Sequence, residues 1–141
     1  MPLSEVPALA ARVEALGYTD LWSFEINMFD AFTPLAAAAA TTREVRLGTA
    51  IVPVFFRPPG LLAMQAAAMA ELAPGRFVLG VGSSTPVVVE QWMGVPFGPP
   101  VKAVRETVVA VRALLAGEKV GGMRLARPPA QPPQIWICLL Y

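Results

Sequence analysis

Three short stretches of this 141-residue chain carry the side chains best suited to chemistry. The first is Glu25-Ile26-Asn27, which follows the apolar run Asp20-Leu21-Trp22-Ser23-Phe24. A carboxylate at the end of such a run can hydrogen-bond a substrate or a cofactor, so Glu25 and Asn27 are candidate catalytic residues. The second is Gly82-Ser83-Ser84-Thr85-Pro86. Gly82 lets a bound group come close to backbone, and the hydroxyls of Ser83, Ser84 and Thr85 can bond its polar atoms or cap a helix before Pro86. The third is Ala50-Ile51, inside the β-branched run Val45–Val54, which by itself reads as an ordinary buried strand. Arg57, just before Pro58-Pro59, reads as one half of a surface or loop salt bridge and not as a phosphate ligand.

Other chemistries are excluded by composition. Histidine is absent, which removes a Ser-His-acid triad, a HExxH zinc site and any histidine base. The single cysteine, Cys138, excludes an internal disulfide and a multi-cysteine metal site, and reads as a buried strand thiol. A formal charge of +1, with charges scattered singly, leaves no footprint for nucleic acid. Hydrophobic residues make up 55% of the chain and charged residues 15%. Such a chain spans a membrane or expects more partner surface than it contains. The uncharged stretches Ala31–Thr42 and Phe77–Val89 are too short and too broken for the roughly 18–20 apolar residues of a spanning helix. The start, Met1-Pro2-Leu3-Ser4-Glu5, lacks a signal-peptide pattern, so a cytoplasmic location is expected.

The elements that must position these residues alternate. Ser4-Glu5 opens a helix with Pro7 in its first turn, Leu9, Val13 and Leu16 at helical spacing, and Gly17 beyond its end. The strand Asp20–Phe24 follows. Asp30 or Thr33 caps a helix that begins at Pro34 and carries the run Ala36–Ala40. Val45–Val54 is the next strand. A third helix runs from Pro58-Pro59 through Met64 and Met69, a core-filling pair, to Leu72. Arg76–Gly82 is almost continuously apolar, as a strand covered on both faces should be. After the linker Pro96–Pro100, a helix shows Val101, Val104, Val108, Val111 and Leu115 on one face and Lys102, Arg105, Glu106 and Arg112 largely off it. Val120–Pro133 reads as a loop excursion, and Gln134–Leu139 as a last apolar strand. Trp22 and Trp136 read as core. This βαβαβ order fits an open doubly wound sheet of the flavodoxin type or part of a (β/α)8 barrel. Strand order separates them: a central reversal marks the first, sequential order the second.

Four segments narrow the choice. "ALGYTDLWSFE", "TPLAAAAATTREVRLGTAIVPV", "RPPGLLAMQAAAMAELAPGRFVLGVGSS" and "PVVVEQWMGVPFGPPVKAVRETVVAVRALLAGEKV" resemble, in order and spacing, the luciferase-like monooxygenase family, nearest to its branch using coenzyme F420. The resemblance covers roughly residues 7–120. It implies an α/β fold, a partial (β/α)8 TIM barrel with parallel strands two to five and flanking helices. Residues 1–141 are then a single incomplete barrel domain. It implies an oxidoreductase that transfers hydride to or from a small organic substrate, with F420, or alternatively FMN, at the strand ends. Ala50, Ile51, Gly82, Ser83, Ser84 and Thr85 become cofactor-binding candidates, with a cis peptide between Ala50 and Ile51. Relatives often place histidine where Ile26 stands and glutamate where Thr85 stands, so those acid roles do not transfer. Glu90, Trp92 and Gly94 match the family's run and are expected to pack the loop over the family's fourth strand. A truncated non-catalytic remnant and a small flavodoxin-like flavin- or nucleotide-binding module are the alternatives. A half barrel leaves two sheet edges and an apolar inner face exposed, so a homo-oligomer is expected.

Overall fold

The computed structural model describes residues 2–138. The last residue of the expected strand Gln134–Leu139 lies outside them.

Helix α1, Val6–Ala15, follows a single 3-10 turn and stops before Gly17, whose φ of +83° suits glycine. Its Glu14 carboxylate accepts the backbone N–H groups of Arg43, Glu44 and Val45 at 2.7 to 3.1 Å, tying the helix to the start of a later strand. Strand β1 is Asp20–Ser23 and helix α2 is Phe32–Ala39. Asp30 is the cap: its Oδ1 accepts the N–H groups of Phe32 and Thr33, both at 2.9 Å. The small side chains of Ala38 and Ala39 let α2 sit close on the sheet, where both are buried.

Strand β2, Arg46–Thr49, and strand β3, Val52–Pro53, together make the expected run, interrupted at Ala50-Ile51. Helix α3, Pro59–Leu72, buries Leu62, Ala63, Ala66, Ala67, Met69 and Ala70. Met64 is exposed, so only Met69 of the expected methionine pair fills the core. Strand β4, Phe77–Gly82, is buried at every position, as its apolar run indicated. A π-helical turn over Val87–Trp92 precedes helix α4, Pro100–Leu115. The stripe of Val104, Val108, Val111 and Leu115 is buried, but Val101, in the first turn of α4, is exposed. Each of these buried valines and leucines contributes about 1.5–3 kcal/mol of transfer free energy. Residues 120–133 hold one isolated bridge, Val120 to Met123, and no other helix or strand. Strand β5 is Gln134–Cys138.

All strand pairs are parallel. β2 and β3 lie on the same edge of β4, so they are one strand with a break. The order is therefore β1, β2 with β3, β4, β5, without reversal. This sequential order is that of a barrel segment and overturns the open doubly wound alternative. The helices pack in the same succession, α1 on α2, α2 on α3 and α3 on α4. One face of the sheet, with Leu21, Leu47, Phe77, Leu79, Val81 and Ile135, joins the helices in the main core.

The other face is open. Trp22 stands opposite Gly48, and Gly80 opposite Trp136, and the two indole rings meet with centroids 5.3 Å apart. Any side chain at Gly48 would run into the Trp22 ring, and one at Gly80 into the Thr49 carbonyl. Trp22 and Trp136 are 40% and 43% exposed, so the expectation that they are core is corrected. They face the concave side, where only part of a barrel wall is present to cover them. Among the described residues no helix is long and apolar enough to cross a membrane.

Candidate functional site

The C-terminal ends of β1, β3 and β4 meet around the break in the second strand. The peptide bond Ala50-Ile51 is cis, as the family resemblance implied. Backbone hydrogen bonds hold it to the end of β1 and the residues just after: Ala50 N–H donates to Ser23 O at 2.6 Å, and Glu25 N–H to Ile51 O at 3.3 Å. On the other side, the Thr49 hydroxyl takes over the ladder where the backbone turns away. Its Oγ1 accepts the Gly80 N–H and donates to the Gly80 carbonyl, both at 2.8 Å and both buried. Sequence reasoning passed over Thr49. Its position directly before the break is the only local signal it gives.

Beside the break lies a cavity of about 270 Å³. Glu25, Ala50, Ile51, Gly82, Ser83, Ser84 and Thr85 line it, joined by Phe24, Ile26, Val88 and Cys138. The structure thus brings together every site residue expected from the sequence except Asn27, which is exposed and outside the lining. A second cavity, about 360 Å³, shares Ala50, Ile51 and Cys138 with it and extends over Trp22, Gly80 and Trp136 on the open face.

Gly82 keeps the cavity floor low. A methyl there would lie 2.8 Å from the Cys138 carbonyl oxygen and 3.2 Å from Ile51 Cδ1. Ser84 adopts φ +60°, an uncommon conformation for a residue with a side chain. The Ser83 hydroxyl donates to Ser84 O at 3.2 Å, and Thr85 Oγ1 accepts the Val88 N–H at 3.4 Å. The Thr85 contact is the weak helix cap that the sequence suggested. Cys138 is exposed and lines the cavity. The expectation of a buried thiol is corrected: among the described residues no strand covers the outer side of β5.

Glu25 is paired with Arg57, 32 residues away. Both side chains are nearly buried, at 11% and 9% exposure. Arg57 also donates to Gln65 Oε1 at 2.9 Å, and its guanidinium lies 5.4 Å from the centre of the Phe32 ring. Arg57 thus forms the loop salt bridge expected of it, but a nearly buried one and not a surface one. Glu25 Oε2 is buried with no hydrogen-bond partner. Burial pushes the Glu25 carboxyl above the usual 4.5, with the Arg57 charge opposing that rise. Glu90 accepts the Phe97 N–H at 3.1 Å, so it ties the loop after the π-helical turn. Among the described residues no group of three or more acidic, histidine or cysteine side chains could hold a metal ion.

The lining fits a flat heteroaromatic ring better than a phosphate. It offers one carboxylate, three hydroxyls and apolar surface from Phe24, Ile51 and Val88, and no lysine or arginine. The glycine floor and the Ser83, Ser84 and Thr85 hydroxyls are features that a bound polar ring can use.

Comparison with known proteins agrees with this geometry. The chain is 39% identical over 110 residues to a putative coenzyme F420-dependent oxidoreductase of Mycobacterium tuberculosis, covering 78% of this chain and 32% of that one. An F420-dependent secondary alcohol dehydrogenase, solved with an F420-acetone adduct, superposes with a TM-score of 0.82 at 20% identity, over 97% of this chain and 48% of that one. The oxygenating constituent of 3,6-diketocamphane monooxygenase from Pseudomonas putida, solved with FMN, gives 0.80 at 16% identity, over 96% and 45%. At these identities the two structures speak for the fold alone. The chain spans between a third and a half of the length of these proteins. The family profile of luciferase-like monooxygenases matches residues 1–138, and the chain belongs to that family.

Proposed function

We propose that this chain forms the ring-binding part of a flavin- or deazaflavin-dependent oxidoreductase that moves hydride to or from a small organic substrate. One observation carries the reading: Glu25, Ala50, Ile51 and Gly82 through Thr85 line a single cavity at the ends of parallel strands. When bound, the ring supplies the hydride chemistry. Ala50-Ile51 and Gly82 form the surface it rests on. The hydroxyls of Ser83, Ser84 and Thr85 hydrogen-bond its polar edge. Glu25 and Asn27 are assigned to the substrate side of the ring.

Coenzyme F420 is favoured over FMN by the 39% identity to the mycobacterial relative. The cavity lining carries no cation for a phosphate-bearing tail, so that tail is proposed to be held by strands outside β1 to β5. The outer edges of β1 and β5 each lack a partner strand among the described residues. Trp22, Phe24, Trp136 and Ile137 are exposed on or beside the open face. Both features favour completion of the barrel by further chain or by a second copy.

Absorbance titration of the purified chain with F420 and with FMN tests the proposal. Saturable binding supports it, and no binding of either ring refutes it. The open inner face favours a second reading, in which these residues fold without turnover. Steady-state assay of ring-loaded protein separates the two: turnover removes the second reading, and binding without turnover supports it.

A further inference from the structure

The segment between β1 and α2 forms one wall of the ring cavity through Phe24 and Ile26. It has little other reason to hold a shape. Phe24, Ile26, Met28 and Phe29 are 57%, 40%, 70% and 38% exposed. Its far end is pinned by Asp30, which accepts the N–H groups of Phe32 and Thr33. Its near end is pinned by Glu25, whose backbone N–H reaches Ile51 O and whose carboxylate pairs with Arg57. Arg57 is itself braced from two helices, by Gln65 on α3 and by the Phe32 ring on α2.

A guanidinium held this way acts as a bracket. Its planar fork spends one side on Gln65 and the other on Glu25, a geometry that lysine cannot copy. A nearly buried pair is poor evidence for net stability, but breaking one side strands a charge. The charged groups around Glu25 are Arg57 from the β3–α3 connection and Asp30 from the approach to α2, while Cys138 lines the same cavity.

We propose that Arg57 is a positioning residue: acting through Glu25, it fixes the Phe24–Ile26 wall of the cavity and so sets how tightly a ring is held. It touches no bound molecule itself. The inference rests on the ring-cavity reading for its second half only, because the wall can be followed without any ring.

The test compares the wild-type chain with Arg57→Met and Arg57→Lys by amide hydrogen exchange and by FMN and F420 titration. In Arg57→Met, exchange at Glu25, whose N–H donates to Ile51 O, is expected to rise on the order of a hundredfold, with β4 and α3 little changed. Ring affinity is expected to fall roughly tenfold or more. Arg57→Lys keeps the charge and should recover part of both effects. Unchanged exchange at residues 24–31 in Arg57→Met overturns the proposal. So does a uniform rise that includes β4, which would make the pair a support of the whole fold. If Arg57→Met does not fold, Arg57→Lys decides by the same criteria. If the wild type binds no ring while Arg57→Met loosens residues 24–31 selectively, the bracket stands and the proposed function fails. If the wild type binds and Arg57→Met binds equally well, the bracket fails alone.

Discussion

Gly82→Ala probes the cavity floor with a single methyl group. The methyl would stand 2.8 Å from the Cys138 carbonyl oxygen and 3.2 Å from Ile51 Cδ1. The nearer contact is to backbone, and Gly82 pairs with Cys138 in the β4–β5 register, so the strands must separate locally to admit it. Overpacking of this kind costs about 1–3 kcal/mol. Alanine returns about 0.5–1 kcal/mol by restricting the unfolded chain. The net loss is then about 0–2.5 kcal/mol, or up to roughly 10 °C in melting temperature at this chain length. Ring affinity should fall further than stability, because the methyl pushes on Ile51 and fills the floor the ring needs. Gly98→Ala is the control: its methyl meets only Phe55 Cε1 at 3.8 Å, and a change within about 0.5 kcal/mol is expected. Thermal melting and ring titration of both variants give the answer. A Gly82→Ala protein that melts and binds like wild type would refute the close approach of β4, β5 and Ile51 on which the site rests.

Other expectations follow from named contacts. Thr49→Val removes the hydroxyl that serves both the N–H and the carbonyl of Gly80, leaving two buried groups unpaired, and should cost about 2–4 kcal/mol in denaturant unfolding. Three backbone N–H groups hold the Glu14 carboxyl below its ordinary 4.5. Its contribution is complete above that unfolded-state value and is lost as pH falls through the lower folded value. Glu14→Gln should therefore flatten the acid side of the melting-temperature profile below pH 4.5, and an unchanged profile would count against the tie to Val45. The open face and unpaired edges should drive self-association, so sedimentation that shows a stable monomer without apolar dye binding would contradict the half-barrel account.

Much of the fold could be read from local signals. Pro58-Pro59 and the run to Leu72 marked α3, Asp30 was one of two caps offered for α2, and the almost continuous apolar run of β4 announced burial on both faces. The break at Ala50-Ile51 could not be read from periodicity, since Val45–Val54 looks like one β-branched strand, and it entered through family resemblance. Trp22 and Trp136 were misread for a tertiary reason. Their apolar strands say nothing about whether the concave face is covered. Cys138 failed in the same way. The Glu25–Arg57 pair joins residues 32 apart with no spacing rule between them, so local reasoning had no means to find it. Thr85-Pro86 pointed to a helix start, but nothing in the three valines that follow signalled its π-helical form over Val87–Trp92.

The most direct test of the ring site is an amide chemical-shift map recorded while FMN or F420 is added to the labelled chain. The account predicts shifts concentrated at Glu25, Ala50, Ile51, Gly82, Ser83, Ser84 and Thr85. Shifts confined to the surface cavity lined by Arg112, Pro132 and Gln134, or no shifts with either ring, would contradict it.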